Sequence, residues 1–357
     1  MSSNIGTLVR VTVFGESHGA AVGAVIDGLP AGFKIDFKEI TRQMERRAPG
    51  NDPTATARKE SDVPNVISGV LDGVTTGAPI TVLIENNDTQ SKDYADTMHC
   101  PRPSHADYTG HVRYGGYADR RGGGMFSARL TAPLLFCGSL CMQLLAQKGI
   151  RINAHILNIG GVWDTPFDPC AIKQPQGDLF RLLNMAAEAG MRRQIEDARR
   201  AQDSVGGIIE CAATGLPAGI GAPLFDSVES TLSKLLFSIP AVKGVGFGAG
   251  FDFARLRGSE ANDPMQYKNG EVITLKNNNG GVLGGITNGA PVVFRVAVKP
   301  TPSIAQPQQT VNLETKENTE ITIKGRHDPC VVPRALPVIE AAAALGLADL
   351  MKEAGKL

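Results

Sequence analysis

Residues 8–19 read LVRVTVFGESHG, a strand-like run that ends in a glycine-flanked turn. The alternation of apolar and polar residues from Leu8 to Phe14 predicts a half-buried β-strand. Two glycines then enclose Ser17 and His18, and glycine allows backbone angles and ligand approach that other residues obstruct. Because histidine exchanges a proton near neutral pH, the stretch predicts a strand that carries a titratable side chain to a ligand-accessible turn.

The same pairing of a titratable group with loop-forming residues occurs twice more. Residues 102–107 read RPSHAD, and residues 325–330 read GRHDPC. Proline, glycine and aspartate favour turns, and histidine and aspartate give or take protons. Three such sites in one chain indicate an enzyme.

The composition is that of an ordinary globular chain of 357 residues, with 42% hydrophobic and 20% charged residues. Lys and Arg number 36 and Asp and Glu number 36, so the formal charge is zero. A general polyanion binder needs many cationic contacts, and base stacking needs grouped aromatic residues, which are only 5% here. We therefore expect no nucleic-acid partner. Five arginines against two aspartates between residues 102 and 129 favour a small anionic ligand instead.

The segment from 130 to 147 has no charged residue, which raises the question of a membrane span. Proline, glycine, serine and glutamine interrupt it, and we expect a buried helix with no membrane partner. The N-terminal residues have no basic-then-apolar signal pattern. The six cysteines form no Cys-x-x-Cys pair. We expect reduced thiols and a cytoplasmic protein.

Strand-like and helix-like runs alternate irregularly along the chain. Asp36 with Glu39 predicts the start of a helix, and Pro49-Gly50 predicts its end. No linker or charge block divides the sequence, so we expect one compact α/β (α+β) domain over residues 1–357. The expected strands are 8–14, 21–26, 80–84, 152–159, 208–213, 292–298 and 320–323, and further helices are expected at 179–200, around 232–236 and at 335–354.

Three glycine-rich segments are candidate ligand loops. Residues 244–249 match G-x-G-x-x-G/A, but a dinucleotide site needs a helix next, and the run at 251–253 predicts a strand. Residues 120–129 place two arginines and three glycines before an expected helix start, where backbone N–H groups bind anions. The third segment, 277–289, is followed by 299–303. A tight turn is the plain alternative for either of the last two segments.

Taken in order, these motifs resemble those of the chorismate synthase family. The matching motifs are GESHG at 15–19, RPSHAD at 102–107, GGVLGGI at 280–286, KPTPS at 299–303 and GRHDPC at 325–330. Supporting pieces are RRAPG at 46–50, ND at 87–88, SKDY at 91–94 and DSVGG at 203–207. An ordered set of this size, running nearly from end to end, is far more specific than any one motif.

The resemblance implies the last step of the shikimate pathway. The substrate, 5-enolpyruvylshikimate 3-phosphate, would lose phosphate and the C6 hydrogen by an anti 1,4-elimination to give chorismate. The family needs reduced FMN for this reaction although no net redox change occurs. The resemblance also implies a βαβ sandwich fold and a homotetramer. NADPH is a possible reductant, but the sequence leaves open whether the chain reduces its own flavin.

The resemblance also assigns roles to individual residues. His18 would protonate the leaving phosphate, His105 would support the flavin, and Asp328 would act as acid or base through a flavin nitrogen. The implied substrate contacts are Ser17, Arg47, Arg129 and Arg326, with Arg47 also the one residue carried over for NADP. The implied FMN contacts are Ser127, Gly284, Lys299, Pro300, Thr301, Pro302, Ser303 and Arg326.

The chain departs from the common family pattern after the triple glycine. It reads MFSARLT at 125–131 where RSSARET is usual, which weakens the expectation of side-chain contacts to FMN at Met125 and Phe126. Two other functions compete with the enzyme implied by the resemblance. One is a flavin-binding regulatory module without turnover, which has little need for the histidines. The other is a metal-dependent phosphate-releasing lyase, whose candidate ligands His18, His105, Asp107, His327 and Asp328 fit no strong ligand spacing, so no metal is expected.

Overall fold

Residues 8–19 contribute the second strand of the first of two antiparallel sheets. The structure, a computed structural model, describes residues 3–50, 62–87, 99–323 and 328–357. The first sheet has the spatial order β1 (Asn4–Ile5), β2 (Arg10–Gly15), β3 (Ala21–Asp27), β7 (Ile80–Glu85) and β4 (Asn65–Ser68). The short strands β5 (Val70–Leu71) and β6 (Val74–Thr75) pair with each other between β4 and β7.

The second sheet is built from the later part of the chain. Its spatial order is β11 (Val242–Phe247), β16 (Val292–Val298), β10 (Gly207–Thr214), β8 (Arg151–Ile159) and β9 (Val162–Trp163). Three small hairpins stand apart from both sheets. They are β12 (Met265–Lys268) with β13 (Glu271–Thr274), β14 (Val282–Leu283) with β15 (Ile286–Thr287), and β17 (Gln308–Asn312) with β18 (Glu317–Ile321).

Helices form the layer between the two sheets. Within the described residues, the α-helices, not all of which lie in this layer, are α1 (Phe37–Arg47), α2 (Asp107–Arg113), α3 (Thr131–Gln147), α4 (Glu188–Arg200), α5 (Val228–Ser238), α6 (Gly258–Ala261) and α7 (Val332–Glu353). Helix α3 packs on β3 and β7 of the first sheet and on α7, while α7 packs on β8 and β10 of the second sheet. The order is sheet, helices, sheet, which is the βαβ sandwich that the resemblance implied.

Helix α3 shows why the uncharged segment is buried. It has the length and apolarity of a membrane span, but it is covered by the first sheet on one side and by α7 on the other. Gly138 lets the two helices meet, since a Cβ built there would come within 2.3 Å of the Ala341 Cβ. The prediction of a buried helix is confirmed. The buried core continues across both sheets and the helices between them.

Local sequence signals account for the start of α1. The Asp36 side chain accepts from the amides of Lys38 and Glu39, as the expected helix cap requires. The helix ends at Arg47, just before Pro49-Gly50. Its last residues, Arg46 and Arg47, are buried and carry two guanidinium groups into the molecule. A cap and a stop signal thus determine where these two charges lie.

Three local predictions were wrong in extent or type. The helix expected over 179–200 begins only at Glu188, because the Asp164 carboxylate accepts the amides of Leu183 and Asn184 and holds them extended. The strand expected at 320–323 is displaced to Glu317–Ile321, where the register of its hairpin places it. The run at 251–253 lies in a 3₁₀ turn, Gly250–Arg255, instead of a strand. This turn is still too short to be the long helix of a dinucleotide site.

Candidate active site

A turn of three consecutive glycines lies at the centre of the candidate active site. Gly122, Gly123 and Gly124 all have positive φ, at 61°, 99° and 52°, within the 3₁₀ turn Arg121–Phe126. Residues with a Cβ rarely adopt such angles, so this backbone conformation depends on glycine. The Ser17 amide donates to the carbonyl of Gly124 at 3.2 Å. This bond fastens the glycine turn to the connection between β2 and β3.

His18 lies against the first of these glycines and is buried. A Cβ built on Gly122 would come within 2.0 Å of His18 Cε1 and 2.1 Å of Nδ1, so only glycine admits the ring. Nδ1 lies 3.3 Å from Ser17 Oγ, whose hydrogen is donated to the Arg121 carbonyl at 3.3 Å. The serine oxygen is therefore placed to accept a hydrogen bond from Nδ1–H of His18.

His105 lies against the next glycine of the same turn. A Cβ built on Gly123 would lie 3.3 Å from both Cε1 and Nε2 of His105. On the other side of the ring, Nδ1 is 2.6 Å from Oδ1 of Asp107, the first residue of α2. An ionised carboxylate only accepts hydrogen bonds, so this contact favours a hydrogen on Nδ1 of His105, and Nη2 of Arg102 lies 3.1 Å from the same nitrogen. The structure thus brings His18 and His105 to adjacent residues of one glycine turn.

Arg102 also binds the Asp107 carboxylate, next to the His105 ring. Its Nε donates to Asp107 Oδ2 at 2.7 Å and its Nη2 donates to Oδ1 at 2.9 Å. Burial opposes ionisation of Asp107, but hydrogen bonds from Arg102 and His105 outweigh burial and hold the pKa of this carboxyl well below its usual range. Asp107 therefore remains a carboxylate at neutral pH and orients His105.

The lowered pKa of Asp107 predicts a pH-dependent contribution to stability. A carboxyl whose pKa is lower in the folded state stabilises the fold above the unfolded-state pKa, about 3.9, and this stabilisation is lost as the pH falls through the folded-state pKa. We expect Asp107→Asn to lower the free energy of unfolding at pH 7 by about 1–3 kcal/mol. Urea unfolding between pH 7 and pH 2.5 should show this difference shrinking below about pH 4. A difference that stays constant over this range would contradict the assignment.

Arg47 and Arg129, two of the predicted substrate contacts, share one carboxylate. Arg47 ends α1, and Arg129 lies in the 3₁₀ turn Ala128–Leu130 just before α3. Each guanidinium pairs with a different oxygen of Asp62. Burial opposes ionisation of Asp62, but the charges of Arg47 and Arg129 outweigh it and lower the pKa of this carboxyl. Arg47 and Arg129, both predicted to bind an anion, therefore form one buried unit with Asp62.

Asp328, the third predicted catalytic residue, borders this unit. It is buried and pairs with Arg334, the third residue of α7. Arg334 also donates from Nε to the carbonyl of Arg47 at 2.8 Å. Asp328 is therefore linked through one side chain to the end of α1. The predicted contact Arg326 and its neighbour His327 lie outside the described residues.

The segment 299–303 lies beside the loop that carries His105. Lys299 Nζ donates to the carbonyl of Ser104 at 2.5 Å, and Ser303 Oγ accepts from Arg102 Nη1 at 3.4 Å. Thr301 Oγ1 is buried and has no hydrogen-bond partner within the described part of the chain. A buried hydroxyl left without a partner costs roughly 1–3 kcal/mol, so this oxygen is suited to a bound polar group.

The other predicted cofactor contacts occupy separate positions. Ser127 caps the turn before α3, and its Oγ accepts from the Arg129 amide at 3.2 Å. Pro300 packs on Gly206, where a Cβ would lie 2.9 Å from the proline nitrogen. Gly284 is in the β14–β15 turn with φ of 59°, and a Cβ built there meets no atom within 4 Å. Pro302 completes the segment that also contains Thr301 and Ser303.

Phe126, one of the departures from the common family pattern, has an apolar role. A Cβ built on Gly110 of α2 would come within 2.6 Å of the Phe126 ring, and the Tyr114 ring centroid is 6.3 Å from that of Phe126. The phenyl ring thus packs the glycine turn against α2, the helix that begins at Asp107. Met125 is partly exposed and makes no comparable contact among the described residues.

Several residues of the site were missed by sequence reasoning. Arg102 and Asp107 lie inside a recognised motif, so their charges beside His105 were a usable signal. Asp62, Asn86 and Arg334 lie outside the motifs, and only the packing of distant segments brings them to the site. His155 is fully buried between the Asp164 and Glu210 carboxylates, at 3.0 and 3.1 Å. Residues 3–50, 62–87, 99–323 and 328–357 contain no group of three possible metal ligands.

Comparison with known proteins relates the whole arrangement to one family. A family model described as chorismate synthase matches residues 9–351. The chorismate synthase of Thermococcus gammatolerans is 49% identical over 349 residues, 96% of both chains. That of Korarchaeum cryptofilum is 46% identical over 345 residues, again 96% of both chains. A solved structure titled "Crystal Structure of Chorismate Synthase" matches with a TM-score of 0.74 and 27% identity over 98% of this chain and 93% of that one.

Proposed function

The chain belongs to the chorismate synthase family, and on that premise we propose that it converts 5-enolpyruvylshikimate 3-phosphate to chorismate and phosphate with reduced FMN. The observation that carries the proposal is that His18 and His105 lie against adjacent glycines, Gly122 and Gly123, of one turn. We assign each of these histidines one proton-transfer role in the reaction. A flavin-binding module without turnover has no need for this pair and is not favoured.

The charges of the site support this substrate. The proposed substrate bears one phosphate and two carboxylates, and arginine binds such groups through parallel charged hydrogen bonds. Arg47 and Arg129 supply a preset cationic pair, with Ser17 beside His18 as a further polar contact. Arg47 is only 4% exposed, which favours a substrate contact over an additional NADPH contact at this residue.

The two histidines divide the proton chemistry in the proposed mechanism. The elimination breaks the C3–O bond to phosphate and the C6–H bond, and a conjugated diene forms. His18 Nε2 protonates the departing phosphate, which leaves more easily when its charge is reduced. His105, whose Nδ1 lies against the Asp107 carboxylate, is the proposed proton-transfer group for the cofactor. Asp328, ion-paired with Arg334, is the proposed acid or base for the C6 hydrogen.

The residues present fit the proposed cofactor. The unpartnered hydroxyl of Thr301, the ammonium of Lys299 and the hydroxyl of Ser303 lie on one segment that packs beside His105. Together with Ser127, Gly284, Pro300, Pro302 and Arg326 they are the proposed FMN contacts. When bound, reduced flavin supplies electron density to the substrate as phosphate leaves.

Further properties of the chain remain proposals that follow from the family. We propose a single domain over residues 1–357, supported by the core that continues across both sheets. We also propose a homotetramer in the cytoplasm. The six cysteines are all unpaired in the structure, in keeping with a reducing compartment.

An anaerobic assay tests the proposed function. Purified protein, dithionite-reduced FMN and 5-enolpyruvylshikimate 3-phosphate are mixed, and chorismate absorbance and phosphate release are followed together. We expect the two products to appear in equal amounts and both to be lost without reduced flavin. Bound FMN with no chorismate formed would instead favour the binding module.

A further inference from the structure

Asp62 connects two arginines that come from distant parts of the sequence. One carboxylate oxygen pairs with Nη1 of Arg47 and the other with Nη1 of Arg129. The Asp62 side chain is 1% exposed, and the two arginine side chains are 4% and 5% exposed. Removing one partner from such a buried group leaves charge without compensation, which is strongly destabilising locally.

The remaining bonds of Arg47 fix its guanidinium against the start of α3. Its Nε donates to Thr131 Oγ1 at 2.9 Å, and its Nη2 donates to the carbonyl of Ala128 at 3.0 Å. Both acceptors lie next to Arg129 in sequence. The position of one arginine is therefore coupled to the turn that carries the other.

The remaining bonds of Arg129 tie it to the end of β7. Its Nε donates to Asn86 Oδ1 at 2.9 Å, and its Nη2 donates to the carbonyl of Glu85 at 2.9 Å. Asn86 Nδ2 in turn donates to the carbonyls of Glu16 and Gly19, both at 2.9 Å, on either side of His18. A chain of direct contacts thus joins Asp62 through Arg129 and Asn86 to the loop that carries His18.

The charges explain why a carboxylate is needed between these arginines. Arg334 lies against the Arg47 carbonyl and adds a third guanidinium to the cluster. Arg47 and Arg129 are both buried, and two such guanidinium groups without an anion between them would repel each other. Asp62 lies between the two guanidinium groups and offsets part of their positive charge.

We propose that Asp62 is a positioning residue that holds Arg47 and Arg129 as one preset anion-binding pair. Through Arg129 and Asn86 it also sets the position of that pair relative to the loop of His18. The inference rests on the proposed function, because the anionic ligand is the substrate of that reaction. Asp62 does not touch the reacting atoms. It acts through the two arginines, whose geometry it sets before the substrate arrives.

The main test is Asp62→Asn, which keeps the shape of the side chain and removes its charge. We expect KM for 5-enolpyruvylshikimate 3-phosphate to rise about 10- to 100-fold, the range for hydrogen bonds to charged groups, with a smaller change in kcat. The control is Asp349→Asn, another buried aspartate, which accepts the amides of Thr7, Leu8 and Val9 far from the glycine turn. The control should lose stability and keep the wild-type KM.

A double-mutant cycle separates positioning from a general loss of stability. If Asp62 acts through Arg129, the effects of Asp62→Asn and Arg129→Lys on KM should be clearly less than additive. Should Asp62→Asn fail to fold, Asp62→Glu keeps the charge and is expected to raise KM by a smaller factor. A wild-type KM in a folded Asp62 variant, or fully additive effects, would overturn the proposal.

Turnover by the wild-type enzyme in the same assay shows whether a negative result concerns this inference or the proposed function. If the wild type makes no chorismate, binding of inorganic phosphate by calorimetry still measures the arginine pair. Phosphate should then bind the wild type more tightly than Asp62→Asn by about tenfold or more. Equal phosphate binding by the two proteins would overturn the proposal. Tighter binding by the variant would show that Asp62 competes with the anion instead of positioning the two arginines.

Discussion

Replacement of His18 by alanine is expected to lower kcat by about 10²- to 10⁴-fold, the usual contribution of a positioned acid or base. The reason is that His18 Nε2 is the proposed proton donor to the departing phosphate, and its ring is oriented by Ser17 and Gly122. Steady-state assay of chorismate formation measures the loss. Binding of FMN, followed by flavin fluorescence, should stay within about twofold, since the lost group acts in the transition state.

His99→Ala is the matched control for this experiment. His99 is half exposed and lies 3.3 Å from Glu314 on the surface, so its removal should leave kcat unchanged. A His18→Ala enzyme with nearly wild-type kcat would remove His18 from the mechanism. Loss of FMN binding together with kcat would instead indicate that His18 holds the cofactor.

Substitution of Gly122 by alanine is expected to lower kcat by about 100-fold with little change in secondary structure. The added Cβ would lie 2.0 Å from His18 Cε1, so the ring must turn away from its site. A displacement of about 1 Å at a catalytic group can cost about 10² in rate. The φ of 61° adds only a modest strain for alanine, of roughly 1–2 kcal/mol. Turnover and circular dichroism, measured on the same preparation, test this expectation.

Gly355→Ala separates steric displacement of His18 from the cost of the backbone angle. Gly355 has a similar φ of 66°, but a Cβ built there meets no atom within 4 Å. This variant should keep the wild-type kcat. If both alanine variants lose activity equally, strain in the chain is responsible and the contact with His18 is not. If neither loses activity, the His18 ring is not held by the glycine turn.

The sequence-based interpretation succeeded where a property depends on neighbouring residues. Asp36 caps α1 as its spacing to Glu39 predicted, and the uncharged segment became the buried helix α3. The interpretation failed where a hydrogen bond to a residue distant in sequence overrides the local preference for a helix. Residues 179–187 were expected to be helical, but the Asp164 carboxylate binds the amides of Leu183 and Asn184. The helix therefore begins only at Glu188.

The sequence by itself determined the family, the strand before His18 and the motifs that carry His18, His105 and Asp328. These features depend on residue identity and on short spacing along the chain. Only the tertiary structure decided that the two histidines flank adjacent glycines and that Asp62 joins Arg47 to Arg129. Asp62 and Arg129 are 67 positions apart, and no local pattern relates them. Their pairing arises because the sheet and helices bury both charges together, where an unpaired charge would be too costly.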